Sequence, residues 1–69
     1  MDVHWADGYQ IRARIERGAM VISANREGLL SLADALVTLA GETPGSHFHL
    51  DEYNSLEEGS VELIIERVT

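Results

Sequence analysis

The chain is 69 residues long and carries twelve acidic side chains against five basic ones, for a formal charge of −7. That length makes one small domain, which buries only about 60% of the surface its unfolded chain exposes. All five cations are arginines and there is no cysteine, so disulfides and thiolate metal sites are excluded.

The acidic balance argues against nucleic acid or an anionic membrane as partner, because both reward clustered cations. It suits a protein partner with a basic surface, and it also serves plain solubility. No stretch approaches the roughly 18 apolar residues of a membrane helix. Residues 1–8 lack both a basic start and an apolar run, so a signal peptide is not expected. They read as a flexible or capping segment of a cytoplasmic protein, with Trp5 and Tyr9 packing at the end of a sheet.

In chain order, Tyr9 to Glu16 alternates Ile11, Ala13 and Ile15 with Gln10, Arg12 and Arg14, the period-2 pattern of a half-buried strand. Glu16-Arg17-Gly18 is a short turn with Gly18 free to take a positive φ. Ala19 to Ser23 is a second strand, antiparallel to the first. Asn25 is an N-cap, its side-chain oxygen accepting from the first turn of a helix. Glu27 lies in that turn, where the helix dipole favours an anion. Leu29, Leu32, Ala33, Leu36, Leu39 and Ala40 recur at spacings of three and four and predict the buried stripe, widened by Leu30 and Val37. Gly41 and Pro44-Gly45 stop the helix.

Ser46 to Asp51 alternates again, with Phe48 and Leu50 on one face and His47, His49 and Asp51 on the other. Glu52 to Gly59 is a polar connection. Ser60 to Val68 is the last strand, with Val61, Leu63 and Ile65 on one face. Ile64 interrupts its polar face, so this strand is expected to be central or covered there.

The order ββαββ predicts an α+β domain, one four-stranded, mainly antiparallel sheet with an amphipathic helix on one face. A helix between strands two and three is normally a right-handed crossover between parallel strands. Fully antiparallel pairing leaves two strand orders, 2-1-3-4 or 1-2-4-3, and the pattern does not choose. The helix covers one face. The other collects Gln10, Arg12, Arg14, Val21, His47, His49, Asp51, Glu62, Ile64 and Glu66. A solvated polar surface is its simplest reading; a recognition surface is the functional one, and a homodimer through this face or an edge strand is a third.

His47-x-His49-x-Asp51 places two imidazoles and a carboxylate on one side of a strand, roughly 7 Å apart. These are proper ligands for zinc, which keeps a metal-binding domain or small hydrolase as the minor alternative. Alternating histidines on a wet strand are more commonly inert, and no metal or cofactor is expected. Asp51, Glu52, Glu57 and Glu58 form an acidic cluster around the second connection, solvated or docking onto cations of a partner. No phosphate loop and no G-x-S-x-G surround is present. The chemistry points to binding rather than catalysis.

The runs Ile22-Ser-Ala-Asn-Arg-Glu-Gly-Leu-Leu-Ser-Leu-Ala33, Gly45 to Ser60 and Glu62-Leu-Ile-Ile-Glu-Arg67 resemble the immunity protein 32 family over about Met20 to Val68, HLDEYNSLEEGS being the most specific part. The resemblance implies an immunity protein of a bacterial polymorphic toxin system, which binds and neutralises a cognate toxin. It supplies no catalytic residues. Arg12, Arg14, His47, His49, Asp51, Glu52, Glu57, Glu58 and Glu62 are the partner-binding residues expected from the face and the acidic cluster. The alternative is a self-associating structural domain.

Overall fold

The computed structural model describes residues 3–69. The elements follow the predicted order: β1 (Ile11–Glu16), β2 (Ala19–Ala24), α1 (Arg26–Ala40), β3 (His47–Leu50) and β4 (Leu63–Glu66). β1 and β2 form an antiparallel hairpin running from Ile11 opposite Ala24 to Glu16 opposite Ala19. Its two-residue turn places Arg17 at φ 52° and Gly18 at φ 80°, the left-handed pair that matches the twist of the strands. β3 and β4 form a second antiparallel pair, His47 opposite Glu66 and Leu50 opposite Leu63.

The four strands are two separate two-stranded sheets and not one sheet of four. Neither 2-1-3-4 nor 1-2-4-3 is therefore realised, and β2 and β3 are not partners in a crossover. The physical reason lies at the free edge of β1. There the Ile11 carbonyl accepts from the Glu57 amide at 2.8 Å and the Ala13 carbonyl from the Val61 amide at 2.9 Å, while the Ala13 amide donates to Ser60 Oγ at 3.1 Å. The segment entering β4 thus lies along β1, but four of its residues span two of β1's. That mismatch, with Gly59 at φ 86°, satisfies the backbone groups without building a ladder.

The helix starts as expected. Asn25 Oδ1 accepts from the Gly28 amide at 2.8 Å and from the Gln10 amide at 2.9 Å, and Asn25 Nδ2 donates to the Gly8 carbonyl. One side chain therefore fixes the helix start and the entry into β1 together. At the other end Gly41 adopts φ −90°, a right-handed conformation open to any residue, so the stop owes more to Pro44. Arg67 donates to the carbonyls of Ala40 and Glu42 and ties that end to the chain after β4.

The buried helix face keeps Leu32 and Leu39 of the predicted leucine stripe but is rotated away from the rest of it. Gly28, Ser31, Leu32, Ala35 and Leu39 point inward, while Leu29, Leu30, Leu36 and Val37 are about half exposed or more. Small residues win because the helix lies close on the hairpin: a Cβ on Gly28 would stand 2.4 Å from the Gln10 carbonyl oxygen. The core consists of Ile11, Ala13, Leu32, Ala35, Leu39, Phe48, Leu50, Leu56 and Leu63, with Val3, Trp5, Tyr9, Ala24, Val61 and Ile65 packed around it. Leu56 comes from the segment read as a polar connection. Trp5 and Tyr9 stack with ring centroids 5.0 Å apart, and the Ala6 amide donates to Ser31 Oγ at 2.8 Å. The first two residues of the predicted flexible or capping segment lie outside the described residues.

Candidate functional site

The strand registers set one face of the molecule away from the helix. His49 stands opposite Ile64 and His47 opposite Glu66, and Arg12 and Arg14 occupy the same side of the hairpin, opposite Ser23 and Val21. The connection between β3 and β4 joins the two halves. Arg12 Nη1 donates to the Glu58 carbonyl at 2.9 Å, which brings the arginine onto the acidic segment. Arg14 is held by Glu16 Oε2 at 2.8 Å and by Ser23 Oγ at 2.7 Å, so much of its charge is answered within the hairpin.

The histidines meet each other and one carboxylate. Their rings contact edge to face with centroids 4.9 Å apart, and His49 Nδ1 lies 3.3 Å from Glu62 Oε2. His47 Nδ1 is 3.3 Å from the Gly45 carbonyl. Asp51 does not join them. Its Oδ1 accepts from the Tyr53 and Asn54 amides at 2.9 and 3.1 Å, and its carbonyl accepts from the amides of Asn54, Ser55 and Leu56. This is the side-chain turn that aspartate forms with the backbone two or three residues ahead. Among the described residues no group of three His, Asp or Glu side chains is placed to hold a metal ion, so His47, His49 and Asp51 do not converge on one.

Glu52 is likewise engaged, its Oε2 accepting from the Gly59 amide at 2.9 Å. The two carboxylates at the start of the connection therefore shape it. Glu58 and Glu62 are exposed and Glu57 half-buried, with the Glu57 backbone anchored on Ile11. Leu56 pins the middle of the segment into the core. The result is a braced loop with the Arg12 guanidinium docked on its Glu58 backbone carbonyl. Tyr53 stands at its crest, 90% exposed, and lines a shallow surface depression with Glu52 and Glu58. Sequence reasoning passed over this residue; an aromatic inside a polar, acidic turn was the available signal. Ile64, expected to be covered, is 52% exposed in the middle of the face.

Over residues 19–68 the chain matches the family model described as immunity protein 32. The chain belongs to that family. The Imm32 match takes in β2, α1, β3 and β4, together with the acidic connection. It leaves out β1, although β1 supplies the fully buried Ile11 and Ala13 and the arginines of the face. Comparison with curated proteins and with solved structures found no match. No helix is long and apolar enough to cross a membrane among the described residues.

Proposed function

We propose that this chain is a cytoplasmic immunity protein of a bacterial polymorphic toxin system, acting by binding a cognate toxin and without catalysis of its own. Membership of the immunity protein 32 family supports a protein partner. The observation that carries the choice of surface is the braced acidic connection: Asp51 and Glu52 hold its shape, Leu56 anchors it, and Arg12 docks onto Glu58. A pre-shaped loop loses little entropy on binding. Glu57, Glu58 and Glu62 supply the charge that attracts a basic toxin surface. Tyr53 and Ile64 add the exposed aromatic and apolar groups that interfaces place at their centre. Arg12, Arg14, His47 and His49 complete the contact along the face.

The test is coexpression with the product of the neighbouring open reading frame as candidate toxin. Reversing Glu57 and Glu58 together to lysine is expected to abolish protection and to weaken binding of the purified pair, with the parent's affinity falling as salt rises. Protection equal to the parent's would place the toxin elsewhere on the molecule.

A further inference from the structure

The two histidines of β3 are each held by one ring nitrogen. His49 Nδ1 lies 3.3 Å from Glu62 Oε2, and His47 Nδ1 lies 3.3 Å from the Gly45 carbonyl oxygen. A carboxylate and a carbonyl only accept, so both neutral rings carry their proton on Nδ1. Neutral histidine in water favours the opposite tautomer. The lone pair of each ring is thereby left on Nε2, and neither Nε2 has a partner among the described residues. Metal-binding histidines are built this way: the nitrogen turned from the metal donates to a carboxylate or a backbone carbonyl, which fixes tautomer and orientation.

The supports are themselves held. Phe48 and Leu50 alternate with the histidines and are buried, which fixes the strand beneath the rings. The Gly45 amide donates to the Arg67 carbonyl at 2.7 Å, and the Arg67 amide donates to the Ser46 carbonyl at 2.9 Å. The carbonyl facing His47 is therefore tied to the chain after β4. The spacing also suits chelation. An ion held about 2.1 Å from each nitrogen stands about 3.2 Å from each ring centre, so ligand angles from about 90° to about 109° place the centres roughly 4.5–5.2 Å apart. The two ring centroids are 4.9 Å apart.

We propose that His47 and His49 chelate one divalent transition-metal ion, zinc or copper, through their Nε2 atoms, with Glu62 and the Gly45 carbonyl as outer supports. Imidazole nitrogen selects such ions over calcium and magnesium, which take oxygen ligands. The pair is a different constellation from the His47-x-His49-x-Asp51 trio. Asp51 is spent on its own turn, and no third His, Asp or Glu joins the pair as a ligand among the described residues. Water fills the remaining positions, so the ion exchanges readily, unlike one enclosed by four protein ligands. The chain's charge of −7 favours a dication at its surface. Ligands and supports all belong to this chain, so the site stands or falls independently of the toxin reading.

Two measurements on the full chain test this. Long-range proton–nitrogen NMR of the metal-free protein should show both His47 and His49 protonated on Nδ1. Calorimetric titration should show one ion per chain with zinc chloride and with copper(II) chloride, copper binding the tighter, and no binding with calcium chloride. His47→Ala and His49→Ala should each weaken binding about tenfold or more, and His4→Ala should leave it unchanged. Glu62→Gln should weaken it about tenfold, whereas Glu66→Gln, which removes the same charge from the same face, should have a far smaller effect. All five positions are exposed, so circular dichroism should match the parent's throughout. Rings protonated on Nε2, no stoichiometric binding, binding that survives the loss of either histidine, or equal effects of the two glutamine variants would each overturn the proposal.

Discussion

Arg12 Nη1 and the Glu58 carbonyl, 2.9 Å apart, join residues that are 46 positions distant in the chain. Through this contact the first strand steadies the acidic turn that precedes the last. Arg12→Ala should cost about 1 kcal/mol of stability, the usual worth of an exposed hydrogen bond. The sharper effect should be local, with faster amide exchange at Gly59 and Ser60 than in the parent. Exchange confined to the termini in both proteins would show that the turn stands without the arginine.

Gly28 offers a test in which two effects oppose. Alanine is better than glycine in a helix, by about 1 kcal/mol in the interior and less in the first turn where Gly28 sits. Here the added Cβ would meet the Gln10 oxygen at 2.4 Å, Ile11 Cγ1 at 2.9 Å and Ala24 Cβ at 3.1 Å. A clash with backbone cannot be relieved by a rotamer change, and overpacking costs about 1–3 kcal/mol or more. Gly28→Ala should therefore lower the urea midpoint, and a raised midpoint would mean that the helix lifts away without penalty.

Asn25→Ala removes acceptors for the Gly28 and Gln10 amides and a donor to the Gly8 carbonyl. A plain N-cap is worth about 1 kcal/mol, with a ceiling near 2. Three bonds on one side chain put this variant at the ceiling. Denaturant titration reads the difference directly, and Asn25→Asp, which keeps the acceptor alone, should recover part of it.

The carboxylates of the connection should separate into two kinds. Asp51→Ala strips a turn of its acceptor and should destabilise the domain by about 1 kcal/mol. Glu58→Lys changes an exposed side chain and should stay within about 0.5 kcal/mol of the parent, while reducing toxin binding. A stability loss at Glu58 equal to that at Asp51 would remove the distinction.

Deleting residues 1–18 leaves the whole stretch covered by the family match but takes away Ile11 and Ala13, both fully buried. The remainder should be unfolded by circular dichroism. A folded fragment would show that the hairpin's inner strand is dispensable.

How much of this was legible follows from what each residue reports. The turn at Arg17-Gly18, the Asn25 cap and the alternation of Phe48 and Leu50 are local matters, and periodicity with turn chemistry was enough to find them. On the helix face Leu32 and Leu39 were legible, but Gly28, Ser31 and Ala35 were not, because leucine outranks glycine, serine and alanine on any apolar scale whereas close approach to a strand selects the small ones. The division into two sheets was not visible. It depends on Glu57 and Val61 reaching Ile11 and Ala13, a pairing with no sequence signature. Of the candidate site, period 2 alone put Arg12 and Arg14, and His47 and His49, on one side of their strands, while Asp51, counted with the histidines by the same alternation, turns away into its own loop. The bracing duty of Asp51 and Glu52, and the exposure of Tyr53, required the folded loop.

The stitching of β1 by residues 57–61 also sets an order of events. The first hairpin and the helix can form from neighbouring residues, but β1 has no partner for the Ile11 and Ala13 carbonyls until the final quarter of the chain arrives. Closing a loop of that length must precede the reward of its contacts. The pairing of the first strand therefore cannot be completed until nearly the whole chain has been made.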